Sequence, residues 1–137
     1  MLEYFVIAWD GGAREKVRDA FRAKFPGGYG DVVQETVRAL AAHMDEDTQE
    51  LPDPERITRV ASGDYQGAYV YVICAQGSQT RTFWVVKVSY GSCSGCDTLQ
   101  RIRSEKDWDD ESPGATEGQL KSLTQLALHI VQRLKEV

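Results

Sequence analysis

The sequence predicts an α+β domain, with one antiparallel sheet built around a central β-hairpin (68–90) and about four helices packed mainly on one face. Three observations lead there. Ala68–Ala75 and Thr80–Tyr90 are both rich in Val, Tyr, Phe, Trp and Ile and are separated by Gln76-Gly77-Ser78-Gln79, the pattern of two strands and a turn. Several other segments carry apolar residues at helical spacing. The length of 137 residues, 42% hydrophobic and 27% charged, suits a single globular domain with a real core, so 1–137 is read as one domain.

Leu2–Trp9 is an apolar run stopped by Asp10-Gly11-Gly12 and is read as a short buried strand able to join the sheet. Ala13, Val17, Ala20, Phe21 and Phe25 then mark one face of a helix that ends at Pro26-Gly27-Gly28. Asp31 with Gln34 reads as a capping box, opening a second helix with Val33, Val37, Leu40 and Met44 on its apolar face. The stretch Asp45–Glu55, with six acids, no base and two prolines, reads as a loop.

Ile57–Ala61 is expected to add a third, short strand. A two-residue Gly77-Ser78 turn would place Val72 opposite Phe83, Tyr71 opposite Trp84, Cys74 opposite Arg81, Tyr65 opposite Tyr90 and Asp64 opposite Gly91. Ser94 with Asp97 reads as a capping box for a helix running to about Glu105, followed by an acidic loop, 106–114, that holds Trp108. Thr116 and Gln119 cap the last helix, whose apolar positions Leu120, Leu123, Ala127, Ile130, Leu134 and Val137 have coiled-coil spacing. Leu126, Leu128 and Val131 widen that stripe, which favours a helix laid on a sheet over a coiled-coil seam.

Charge and hydropathy exclude several functions. Sixteen bases against 21 acids, a net charge of −5, argue against a protein that coats duplex nucleic acid. The longest apolar run, Ala68–Ala75, falls far short of the ~20 residues of a membrane helix. No Walker loop, G-x-G-x-x-G, H-E-x-x-H or G-x-S-x-G occurs, and no catalytic residue is nominated.

Three features remain as candidates. The Cys93/Cys96 pair, C-x-x-C at the start of a helix, has the local form of a redox site, because a helix N-terminus stabilises a thiolate. The helix–loop–helix that follows lacks the strands a thioredoxin-like fold needs, and its single proline, Pro113, lies in the acidic loop. As half of a zinc site the pair is short of ligands: Cys74 is expected at the far end of the hairpin, His129 on an exposed helix face, and His43 has no clear place. A zinc site shared between subunits stays open, and no other cofactor is expected. The plainer reading makes both cysteines packing residues.

The second feature is a convergence of Asp64, Tyr65, Tyr90, Ser92, Cys93, Cys96 and Asp97 at one end of the sheet. Hydroxyls, backbone N–H groups and a helix N-terminus meeting there would suit a small anionic ligand, and equally would serve as turns and caps. The third is the acidic loop with Asp107, Trp108, Asp109 and Asp110, either a solvated loop or a face for a basic partner with the tryptophan as anchor.

The strings Gly63-Asp64-Tyr65-Gln66-Gly67 and Tyr90-Gly91-Ser92-Cys93-Ser94-Gly95-Cys96-Asp97, together with Leu126-Ala127-Leu128-His129, resemble a group of small proteins encoded by bacteriophages, including phages of actinobacteria. The resemblance covers the central and final thirds and carries no activity, cofactor or catalytic residue with it. What it implies is a phage protein acting in the cytoplasm of its bacterial host. The leading expectation is therefore a non-enzymatic protein that binds a host component through an acidic surface. A cysteine-dependent redox or metal role at Cys93/Cys96, and a small anionic ligand held near 64–67 and 90–98, are the alternatives; the oligomeric state stays open.

Overall fold

The computed structural model describes residues 2–47, 49–63, 67–77, 82–91, 97–107 and 109–137. Its sheet is antiparallel, in the order β1 (Pro52–Gly63), β2 (Gly67–Ala75), β3 (Phe83–Tyr90) and β4 (Lys135–Glu136). Side chains alternate across it. Ile73 and Tyr71 of β2 and Trp84, Val86 and Val88 of β3 are buried under the helices, whereas Val60, Val70, Val72 and Val85 lie half-buried or exposed on the other face. The helices thus cover one face, as the sequence predicts.

The first segment departs from expectation. Leu2–Ala8 is helix α1, which passes through a wide turn at Trp9–Ala13 into α2 (Arg14–Ala23). Phe5, Ala8, Trp9, Ala13, Val17 and Phe21 are all buried, one helical stripe running straight through Asp10-Gly11-Gly12. Tyr4 and Ile7 face outward. A continuous apolar run of this length does not distinguish strand from helix by itself, and the glycines taken as a stop are a kink. Gly12 has φ +140°, and the His43 imidazole fills the space a Cβ would need, with Nε2 2.5 Å away. His43 thereby finds its place: it ends α3 (Tyr29–Ala42) with its Nδ1 3.0 Å from Ala39 O.

The hairpin has the expected faces and a different register. Val72 pairs with Val85, Ile73 with Trp84, Cys74 with Phe83, and Gly67 with Tyr90. The whole ladder is shifted by two residues, because the Ala75 N–H donates to Thr82 O (3.2 Å), so that six residues, 76–81, lie between this pair. A two-residue shift preserves the inward and outward sets, so the strand ends move while each residue keeps its face. Its mid-strand position predicts a core place for Cys74, but Cys74 sits half-buried on the outer face, opposite Phe83. Strand β1 is longer than expected and takes in the end of the acidic stretch. Its prolines are tolerated because it is an edge strand with a register irregularity between Pro52 and Ile57. Gln76 and Gln34 side chains donate to the Pro52 and Pro54 carbonyls (3.1 Å each).

Helix α5 (Glu117–Arg133) begins with the predicted capping box: the Gln119 N–H donates to Thr116 Oγ1 (3.2 Å) and the Thr116 N–H to Gln119 Oε1 (3.0 Å). It packs on α1, α2, α3, α4 (Thr98–Ser104) and β3, which explains an apolar stripe too wide for a coiled-coil seam. The helix stops at Arg133, so that Val137 is 76% exposed beyond the short strand β4. Two other caps differ from expectation. Gly28 is the N-cap of α3, and Asp31 sits one turn in, reaching back to accept from the Gly27 N–H (2.7 Å). Asp97, rather than Ser94, is the N-cap of α4.

The chain between α4 and α5 is tied along the end of α2. Phe25 N donates to Pro113 O (2.8 Å), Ala115 N to Phe21 O (2.9 Å), and Lys106 Nζ to the Ser112 and Gly114 carbonyls. A Cβ on Gly114 would overlap the Arg22 backbone carbonyl. Gly114→Ala is therefore expected to destabilise the fold by about 2 kcal/mol or more in urea denaturation. Gly118→Ala, with open space around it in the first turn of α5, is expected to be neutral or to stabilise by up to ~1 kcal/mol. Equal losses in the two variants would contradict this packing.

Candidate functional site

Of the residues the sequence brings to one end of the sheet, Tyr90 and Asp97 are described, and they do come together. Asp64, Tyr65, Ser92, Cys93 and Cys96 lie outside the described residues, as does Trp108. The register itself is corrected, since Tyr90 lies opposite Gly67.

Asp97 is only 5% exposed, and its carboxylate is fully engaged. Oδ1 accepts from the Tyr29 hydroxyl (2.8 Å) and the Gln100 N–H (3.0 Å), and Oδ2 from the Gly91 N–H (2.9 Å). The Tyr29 oxygen in turn accepts from the Leu99 N–H (3.1 Å). Burial pushes the Tyr29 phenol well above its ordinary pKa; the Leu99 N–H opposes the shift and the Asp97 carboxylate adds to it. This cluster joins the N-terminus of α3, the end of β3 and the start of α4. With its acceptor oxygens engaged and its phenol held protonated, it is built to fix elements in place rather than to move protons.

Beside it a cleft of about 260 Å³ opens between α3, α4 and the sheet. Tyr69 and Tyr90 stack at 4.3 Å within it, Arg59 lies over Tyr69 at 4.6 Å, and Arg103 donates to the Pro26 and Gly27 carbonyls. These groups are largely occupied with one another.

The larger cleft, about 360 Å³, lies on the other side of α4. Strand β4 pairs only with Trp84 and Val85, so beyond Val85 no described strand covers the β3 edge. Alternation of the ladder sets what that edge presents. Thr82 bonds toward β2, and Phe83 O accepts from Val137 N on the β4 side, so the backbone groups of Lys87 and Ser89 also point to the edge. Helix α5 runs alongside it, presenting Gln125, Leu126, His129 and Arg133, while Arg101 and Thr98 come from α4.

The electrostatics of this cleft set it apart. Among the described residues Lys87, Arg101 and Arg133 line it, and no carboxylate does. Among the described residues none of the three forms an ion pair, whereas Arg18, Arg22, Arg38 and Lys106 all do. In a chain of net charge −5, three unneutralised cations around one concavity focus a positive potential there.

The chain matches no protein-family model, no curated protein and no solved structure. The cleft therefore has to be interpreted from its own chemistry.

Sequence reasoning missed the cationic cleft because its three cations come from β3, α4 and α5. The one available signal was on α5, where Ser122, Gln125, His129 and Arg133 form a polar stripe. His129 is exposed, as its helical position predicts. In the acidic loop Asp107, Asp109 and Asp110 are all exposed, and Asp110 also turns back on its own loop. Its Oδ1 accepts from the Ser112 hydroxyl (2.7 Å) and N–H (2.9 Å), which hold its carboxyl below the usual range.

The Asp97 cluster makes a graded stability prediction. Asp97→Ala strands three donors and is expected to cost about 3 kcal/mol or more, against about 1–2 kcal/mol for Tyr29→Phe. In urea denaturation the double variant should lose less than the sum of the two. Additive losses would show that the two side chains act independently.

Proposed function

We propose that the protein is a non-enzymatic binder of a small anionic ligand, held in the cleft between the β3 edge, α4 and α5. The observation that carries this reading is the set of three cations, Lys87, Arg101 and Arg133, that among the described residues have no ion-pair partner and line a cleft with no carboxylate. Arg101 and Arg133 supply planar donor forks, Lys87 a point charge, and Ser89, Thr98 and Ser122 add hydroxyls. The volume lies near the lower end of the range for small-molecule sites. The resemblance to phage-encoded proteins supports the host cytoplasm as the setting.

Isothermal titration with inorganic phosphate and pyrophosphate tests the reading. Each of Arg101→Ala and Arg133→Ala should weaken binding by about 10- to 100-fold, the loss expected for a charge-assisted hydrogen bond. Added salt should weaken it further. Arg14→Ala, exposed on α2, should bind like the unmodified protein. Undiminished affinity in a Lys87→Ala/Arg101→Ala double variant would refute the assignment.

A further inference from the structure

We infer that the ligand of this cleft is a single-chain amphiphile, an anionic headgroup carried on a short aliphatic body; the inference rests on the anion-binding reading above. The cleft is graded from rim to floor. Lys87, Arg101, His129 and Arg133 are exposed around its mouth. Its floor is Val88 and Ile130, 6% and 2% exposed, with half-buried Leu126 beside them.

A plain inorganic anion would satisfy the rim and leave the half-buried Leu126 side chain facing water. A nucleotide would need a surface for its base, and among the described residues no aromatic ring lines this cleft; Tyr29, Tyr69 and Tyr90 lie in the other one. A headgroup at the rim with methylenes laid on the floor satisfies both halves. The arrangement also sets orientation, because the cations are confined to the solvent side and the apolar carbons to the core side.

The test is a titration series with the unmodified protein: inorganic phosphate, then methyl, ethyl, butyl and hexyl phosphate as monomers in solution. Kd is expected to fall about three- to fourfold per added methylene until the floor is filled. Leu126→Gln should reduce the ratio of hexyl phosphate to inorganic phosphate affinity, with circular dichroism melts confirming that the variant is folded. A flat series, with phosphate binding as well as its alkyl esters, would overturn the amphiphile and leave the anion site standing. Adenosine monophosphate binding more tightly than butyl phosphate would overturn it in favour of a nucleotide. Binding to phosphatidylglycerol vesicles without binding to any free alkyl phosphate would overturn it in favour of a membrane surface. No binding by any member of the series, inorganic phosphate included, would remove both the amphiphile and the anion site.

Discussion

A buried carboxylate with three donors holds this fold's working end together. Taking an ionised side chain out of water is costly unless its oxygens are hydrogen-bonded, so the position of Asp97 is acceptable only while Tyr29, Gly91 and Gln100 all stay in reach. Those partners belong to α3, the end of β3 and α4. The constraint therefore fixes three elements at once, and α4 becomes a rigid wall shared by two clefts. Gln119 continues the chain of constraints: buried in the first turn of α5, it completes the capping box and donates to the last carbonyls of α4, Ile102 O at 3.0 Å and Arg103 O at 3.4 Å. Helix α4 is thus held at its start by one polar side chain and at its end by another.

The acidic composition has a local explanation. Asp45 accepts from Asp47 N, Asp53 from Glu55 N, and Asp110 from Ser112, so these carboxylates close their own turns. Glu35 and Glu55 engage Arg38, and Glu117 engages Arg18 and Arg22. Acids and bases on these elements largely neutralise one another. The cleft by β3 gathers three cations, Lys87, Arg101 and Arg133, that take no part in these pairs.

How much of this the sequence revealed depends on the range of the interaction involved. The Thr116/Gln119 box and the wide stripe of α5 were legible because both are local, fixed by residues three and four apart. The two strands of the hairpin were legible from their β-branched and aromatic content, but not which face Cys74 takes. The register was not, because it depends on where Ala75 meets Thr82 across a connection whose length composition does not set. The N-terminal helix was misread because Phe5, Ala8 and Trp9 fit either a short buried strand or the start of a stripe. Only their continuation through Ala13, Val17 and Phe21 decides between them. Asp97 was recognised as part of a cap, but its bonds to Tyr29 and Gly91 are tertiary. The cations of the cleft meet only after three elements have docked.

The short strand β4 gives the cleft a fixed gauge. Helix α5 is anchored at one end by Gln119 and at the other by the return of Lys135 and Glu136 to β3. Between those anchors, the angular position of every rim residue is set by counting along the helix. One inserted residue would rotate everything beyond it by about 100°, carrying His129 and Arg133 off the mouth while leaving composition, charge and helical propensity almost unchanged. The geometry of the cleft is in that sense written in the length of α5 as much as in its side chains, so insertions and deletions there displace its rim far more than many substitutions.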